Sequence, residues 1–148
     1  MKIRLMVGED KYSELYKQLT SMGFEIDDGA ELILSEKNVY VKHLIGRKGE
    51  EIFRLDVKNI THIESFAHDI VAYSGGEEYR LSERLRRLEE ILDPKDFIRV
   101  SNSAIVAAGH IKSIRPAFTQ KFLLTLSDGS KVDVTRTYYY IFKEFLGI

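Results

Sequence analysis

The sequence predicts a mainly β fold, a β-sandwich with one or two short helices, preceded by a small β-α-β appendage. From residue 41 onward, short runs alternate apolar and polar residues, as strands with one buried face do. Turns rich in Gly, Asp and Ser separate these runs. With 148 residues, of which 44% are hydrophobic, the chain is long enough to bury a core of its own.

Residues 1–40 are expected to form the appendage. The opening KIRLMV alternates apolar and polar residues and predicts a strand. From Asp10 to Met22 apolar residues recur at helical spacing, so a helix follows, and Gly23 is expected to end it. The segment FEIDDGAELIL then supplies one or two more strands around an acidic turn. This stretch is too short for a phosphoacceptor receiver domain, so we expect control through abundance, a partner or a ligand.

Residues 41–148 are expected to form the sandwich. Its first strands are predicted by the runs VYVKHLI, EEIFRL, NITHIESF, DIVAYSG and EEYRL, and residues 45–49, IGRKG, read as a loop. Leucines at helical spacing predict a helix over residues 82–92, capped by Ser82 and ended by Asp93-Pro94. A tight hairpin at SDGS and a closing helix at TYYYIFKEFLGI complete this unit.

Composition excludes several classes of protein. The absence of cysteine removes disulfides, thiolate catalysis, iron–sulfur clusters and cysteine zinc sites. No window of about twenty residues is free of charge and no secretory signal opens the chain, so we expect a cytoplasmic protein. No nucleophile, base and orienting group recur in a recognisable arrangement, which argues against an enzyme. His62, Glu64, His68 and His110 lack the spacing of metal ligands, so we expect no metal and no cofactor.

Charge is distributed unevenly along the chain, although the formal net charge is only −1. Residues 97–148 hold seven basic and three acidic side chains, whereas residues 1–45 hold six basic and eight acidic ones. Such asymmetry is typical of a polyanion-facing half, although inert surfaces show it too. The polar side chains that follow or end the strands between residues 97 and 136 suggest a β-scaffold that presents loops to nucleic acid.

Four successive segments carry a specific resemblance: ITHIESFAHDIVAY, YRLSERLRRLEEIL, FIRVSNSAIVAAGHIKSI and LTLSDGSKVDVTRTYYYIFKEFLGI. In order they hold Ile-Glu-Ser at a strand end, a leucine-rich helix, Phe-Ile-Arg-Val followed by serines, an Asp-Gly hairpin, and an arginine before an aromatic helix. This succession, over residues 45–148, resembles the LytTR family of DNA-binding domains, the output module of many bacterial transcription regulators.

The resemblance implies an elongated β-sandwich that inserts its loops into successive major grooves of double-stranded promoter DNA. It places base contacts on His68, Asn102 and Arg136, whose side chains can hydrogen-bond base edges. Phosphate contacts fall on six further residues: Arg99, Ser101, Ser103, Lys112, Arg115 and Lys121. We also expect a homodimer, with residues 1–40 as the dimerisation or partner-binding unit, because duplication raises affinity and selectivity. Some regulators of this architecture are restrained by a membrane protein.

Other interpretations of the same residues remain open. Asn102 could close a turn through its own backbone, Arg136 could be a solvated side chain, and His68 could be merely exposed. Ala107-Ala108 stand where relatives often have asparagine after the Ile-Val pair, and position 101 is often histidine in relatives. The alternative function is therefore a protein-interaction module on a scaffold whose DNA-binding surface has decayed.

Overall fold

The computed structural model describes residues 1–36 and 40–148, and it divides the chain into two compact units, Met1–Tyr40 and Val41–Ile148. The predicted strand VYVKHLI begins in the part that lies outside the described residues. Among the residues that are described, no helix is both long enough and apolar enough to cross a lipid bilayer.

The first unit is a three-stranded parallel sheet with one helix. Its elements are β1 (Lys2–Met6), α1 (Glu9–Ser21), β2 (Glu25–Ile26) and β3 (Ile33–Ser35). The strand order is β2-β1-β3. Ile3 and Leu5 of the central strand are buried, as period-two alternation requires. The prediction of a strand, a helix and further strands is confirmed, and the chain leaves the helix through Gly23 at φ 94°.

The second unit is mainly β, as predicted, and its strands pair antiparallel. Its strands are β4 (His43–Lys48), β5 (Glu51–Asp56), β6 (Ile60–Phe66), β7 (Asp69–Ser74), β8 (Glu77–Leu81), β9 (Phe97–Ser101), β10 (Ala104–Ala107), β11 (Ile111–Ala117), β12 (Lys121–Leu126) and β13 (Lys131–Val134). Seven strands form one sheet in the order β5-β4-β8-β7-β6-β10-β9, and β11-β12-β13 form a second sheet. Two helices, α2 (Leu85–Ile91) and α3 (Tyr139–Leu146), complete the unit.

Strands β9 and β10 separate two hydrophobic cores. Phe97 and Ile105 pack with α2 and the seven-stranded sheet, whereas Val100 and Val106 pack with the three-stranded sheet and α3. Alternate residues of these two strands therefore face opposite cores. This explains why their sequences are almost continuously apolar, since a strand buried on both faces has no polar side.

Two local predictions are wrong. Ser82 does not cap α2, which begins at Leu85 with Arg84 in the cap position and no side-chain cap. Burial of Leu85 and Leu88 sets where this helix starts, because these side chains must enter the core. Residues 45–48 are not a loop, since β4 continues through Lys48, and only Gly49 of the predicted loop lies in a turn.

Gly46 explains the second error. A Cβ atom at this position would lie 2.8 Å from Leu55 Cδ1 and 2.8 Å from Tyr79 Cβ. Glycine is therefore needed here because β4 lies close to side chains of the neighbouring strands β5 and β8, and not because a turn requires a flexible residue.

Candidate nucleic-acid interface

Two turns lie side by side at one end of the second unit. Strand β6 runs antiparallel to β10, with Glu64 opposite Ala104, so the end of β6 adjoins the start of β10. The turn between β6 and β7 contains His68, and the turn between β9 and β10 contains Asn102. The backbone N–H of Ser65 donates to Ser103 O at 2.8 Å and joins the two hairpins.

A third turn, the 3₁₀ helix Arg136–Tyr138, reaches the same place from the other sheet. Thr135 N donates to Val100 O at 3.0 Å, and the Tyr138 hydroxyl donates to Asn102 Oδ1 at 3.3 Å. The chain therefore brings the turns of all three predicted base-contacting residues to one end of the unit. We call this surface, residues 66–69, 101–103, 118–121 and 135–140, the loop end.

The three predicted base-contacting side chains are exposed. His68 lies in the two-residue turn that connects Phe66 with Asp69, and Ala67 beside it has φ 51°, which is unusual for a residue other than glycine. Asn102 and Arg136 are exposed in their turns as well. Each can therefore be approached by a large ligand from solvent.

Arg99 is already engaged within the protein. Its guanidinium donates to Glu89 Oε2 at 2.8 Å, to Ser101 O at 2.8 Å and to Asn102 O at 2.6 Å. The Arg99 side chain is only 17% exposed. In this structure Arg99 fixes the backbone of the turn that carries Asn102, and it ties that turn to helix α2.

The two serines of this turn differ in accessibility. Ser101 is buried, and its Oγ accepts a hydrogen bond from Ser103 N at 3.1 Å. Ser103 is exposed, with its Oγ 3.3 Å from Ser101 Oγ. Of the two hydroxyl groups, the structure presents that of Ser103 to solvent.

The three predicted basic residues of the second sheet are exposed but lie at different distances from the loop end. Lys121 pairs with Ala117, beside the turn between β11 and β12, and Arg115 is two residues further along its strand. Lys112 follows Ile111, which pairs with Leu126 at the far end of the same ladder. At about 3.4 Å per residue, Lys112 is roughly 17 Å from Ala117. The structure brings Arg115 and Lys121, but not Lys112, close to the loop end.

A polar cluster lies further from the loop end and is mostly internal. The His62 ring stacks on Tyr73, with centroids 4.2 Å apart, and its Nδ1 is 2.9 Å from Thr61 Oγ1. Burial lowers the pKa of His62, with a smaller opposing effect of Asp128, and burial also raises the pKa of Glu64, 3.4 Å away. These shifts follow from the loss of water around a charge.

His110, which the sequence analysis also considered as a metal ligand, makes hydrogen bonds within the protein. His110 lies 2.8 Å from Ser127 Oγ and 2.7 Å from Lys58 O. Across the described parts of the chain, no three His, Cys, Asp or Glu side chains are grouped as metal ligands are.

Sequence reasoning missed the residues that hold the loop end in place. Glu89 on α2 anchors Arg99, Tyr138 bonds Asn102, and Gln120 Nε2 donates to the Tyr140 hydroxyl at 2.7 Å. These pairs are distant in sequence and carry no local signal.

Comparison with known proteins agrees with this architecture. The model of the LytTr DNA-binding domain matches residues 50–147. The chain belongs to this family. This match identifies residues 50–147 as a LytTr DNA-binding domain, and it confirms the resemblance described above.

Relatives and a solved structure extend the comparison. Over 100 residues the chain is 35% identical to the sensory transduction protein LytT of Bacillus subtilis, covering 68% of this chain and 42% of LytT. Over 142 residues it is 24% identical to the transcriptional regulatory protein LytR of Staphylococcus aureus, covering 95% and 58%. The chain thus spans about half the length of these relatives. A LytTr domain from Bacillus cereus superposes with a TM-score of 0.71 at 23% identity, covering 73% of this chain and 99% of that one, and shows the same fold.

Proposed function

We propose that this LytTr chain is a sequence-specific transcription regulator that reads major-groove bases of double-stranded DNA through strand-connecting turns. The observation that carries the proposal is that three exposed polar side chains, those of His68, Asn102 and Arg136, lie in turns at one end of a packed β unit. Short turns on a packed scaffold can fix such groups without a recognition helix.

The chemistry of each side chain suits a base edge. Arg136 can donate two hydrogen bonds to guanine, and Asn102 can pair with adenine. The Tyr138 hydroxyl occupies one lone pair of Asn102 Oδ1, which leaves a second lone pair and both amide protons for a base. His68 can donate or accept, according to its tautomer.

Phosphate contacts are proposed for the accessible residues near the loop end, namely Ser103, Arg115 and Lys121. Lys112 would reach a phosphate only on a duplex that extends along the second sheet, since it lies roughly 17 Å from Ala117, beside the loop end. For Arg99 and the buried Ser101 we propose a positioning role, because their side chains already make hydrogen bonds within the Asn102 turn. Arg99 Nε donates to Ser101 O, and Ser101 Oγ accepts from Ser103 N.

The test is binding to a DNA fragment selected by footprinting upstream of the gene for this chain. Arg136→Ala should cost about 1–3 kcal/mol on that fragment and much less on unrelated DNA, whereas Lys121→Ala should weaken both similarly. Binding should also weaken steeply as salt rises, through release of counterions. Equal losses on both DNAs for Arg136→Ala would show that Arg136 does not read a base.

The homodimer is proposed to form through the first unit. Strand β3 lies at the edge of its sheet, and Ile33 and Leu34 on it are 55% and 41% exposed. An exposed apolar edge strand is a template for pairing with a second copy. In the full chain, Ile33→Lys should shift light scattering from dimer to monomer; an unchanged mass would remove this strand from the interface. A membrane-protein partner stays a prediction of the family resemblance.

The alternative of a decayed DNA-binding surface loses its main support. Ala107 is 5% exposed and packs in the hydrophobic core, where it pairs with Phe97 at the start of β9. The Asn102 turn lies at the opposite end of the same hairpin. The departure from the family pattern at this position is therefore a change in core packing, away from the loop end.

A further inference from the structure

The tip of the hairpin between β11 and β12 has two unusual properties. Phe118 is 94% exposed, the highest value for any large hydrophobic side chain in the described parts of the chain. The next two residues, Thr119 and Gln120, have φ angles of 63° and 57°. Left-handed backbone is unfavourable for residues with a Cβ atom, so this turn is held against its own local preference.

The strained positions coincide with the loop end. Among the described residues, three residues other than glycine have positive φ, and the third is Ala67, next to His68. Backbone strain tends to persist where a turn has a functional task. All three such residues of the described chain lie in two hairpin tips at the same end of the unit.

The hairpin tip is fixed beside the Arg136 turn. Phe122, at the start of β12, pairs with Val134, at the end of β13, so the tip and Arg136 extend from the same end of the second sheet. The bond from Gln120 Nε2 to the Tyr140 hydroxyl ties the tip to α3. The turn that carries the exposed Phe118 ring is therefore held in place by α3 and by the second sheet.

The surroundings of the tip favour a polyanion. Segment 112–121 contains three basic residues and no acidic residue. Arg115 and Lys121, which flank the tip on the two strands, are exposed. An apolar ring between two cations matches a groove lined with phosphates, whereas a purely apolar protein surface would leave both cations without partners.

We propose that Phe118 is a DNA-contacting residue that inserts its ring at a base step in the groove next to the bases read by Arg136. This inference deepens the proposed function and rests on it. Apolar side chains used in this way partly unstack a base step in the minor groove, while flanking cations neutralise the phosphates on both sides. In this chain Arg115 and Lys121 take that flanking role, and the strained turn preorganises the ring.

The test uses the full chain and the footprinted DNA fragment, with 2-aminopurine placed in turn at each step of the protected region. Wild-type protein should raise the fluorescence of the probe at one step, because unstacking relieves its quenching. Phe118→Ala should abolish this rise and weaken binding about tenfold, whereas Phe118→Trp should retain both. Ile52→Ala, on the edge strand β5 and 60% exposed in the wild type, is the matched control and should change neither.

A second variant tests the role of strain. Replacing Thr119 by glycine relieves the left-handed backbone at that residue and keeps the bond from Gln120 to Tyr140, so the thermal midpoint should rise or stay level while DNA affinity falls several-fold through loss of preorganisation. Unchanged affinity in this variant would overturn the claim that the tip is preorganised for DNA.

The outcomes separate this proposal from the proposed function. If wild-type protein binds no DNA selectively, the proposed function fails. If it binds and Phe118→Ala has the same affinity and the same fluorescence profile, only the insertion of Phe118 is refuted. If Phe118→Ala leaves DNA binding unchanged but abolishes self-association in light scattering, the ring is a protein contact and the proposal is wrong.

Discussion

Removal of the Arg99 side chain should weaken DNA binding without a direct contact being lost. Its guanidinium joins Glu89 on helix α2 to the carbonyl groups of Ser101 and Asn102. Arg99→Ala frees both carbonyls and leaves the turn that carries Asn102 without its link to α2. The expected result is a folded protein whose Asn102 turn is more mobile.

The magnitude follows from these three hydrogen bonds. Bonds to a charged group contribute about 1.5–3 kcal/mol each when water is excluded, but the Glu89 side chain is 41% exposed and the freed groups can bind water. We therefore expect a loss of about 1–3 kcal/mol in the free energy of unfolding. Ordering one released backbone residue again on DNA costs about 1–2 kcal/mol, which raises Kd roughly tenfold.

The assay combines urea unfolding with DNA binding measured over a range of salt concentrations. A phosphate-contacting arginine contributes about one unit to the slope of log K against log salt. Arg99→Ala should therefore raise Kd while leaving that slope nearly unchanged. Arg87→Ala is the matched control, because Arg87 forms an exposed ion pair with Glu90 on the same helix and should affect neither quantity appreciably.

Glu89→Ala gives the decisive comparison. If Arg99 positions the turn through Glu89, this substitution should weaken DNA binding in the same direction as Arg99→Ala. If Arg99 instead contacts a phosphate, removal of its acidic partner should release the guanidinium and strengthen binding. Tighter binding by Glu89→Ala, together with a reduced salt slope for Arg99→Ala, would refute the positioning role.

Two further predictions concern stability. Gly46→Ala forces a methyl group into close contact with two neighbouring side chains and should lower the free energy of unfolding by about 1–3 kcal/mol in urea denaturation. Gly109→Ala is the control and should have little effect, because a Cβ atom added there would meet no atom within 4 Å apart from the adjoining backbone. Burial lowers the pKa of His62 below 6.5, so the unfolded chain binds the proton more readily and stability should fall as pH drops below about 6.5. His62→Gln should flatten this pH dependence, and an unchanged profile would contradict it.

The sequence predicted those features of the fold that are encoded locally. Runs such as FIRVS and AIVA became β9 and β10, and the run SDGS forms the turn between β12 and β13, as predicted. Gly46 was misassigned because a strand glycine and a loop glycine look alike in sequence. Its role depends on Tyr79, a residue distant along the chain.

For the candidate site, the sequence predicted the position of the turns along the chain but not the contacts that hold them. The turns that carry Asn102 and Arg136 follow apolar strands and could be located from that pattern. The contacts that position them could not, because Glu89 and Arg99, or Tyr138 and Asn102, meet only when the two cores have formed. Hydrogen bonds between residues distant in sequence depend on tertiary packing.

The turn that carries Asn102 is held by residues behind it, so substitutions in the exposed residue and in the supporting residues should have different effects on DNA binding. A base-reading pair is worth about 1–3 kcal/mol, which is similar to the cost of ordering one or two backbone residues. A turn that is loose before binding would therefore lose most of the affinity that its side chain contributes, on every DNA sequence alike. Changes at Glu89 or Tyr138 should alter affinity for every sequence together, whereas changes at Asn102 should alter which base is preferred. A scaffold of this kind can thus change its target site at the exposed residue while its affinity is set by the residues behind it.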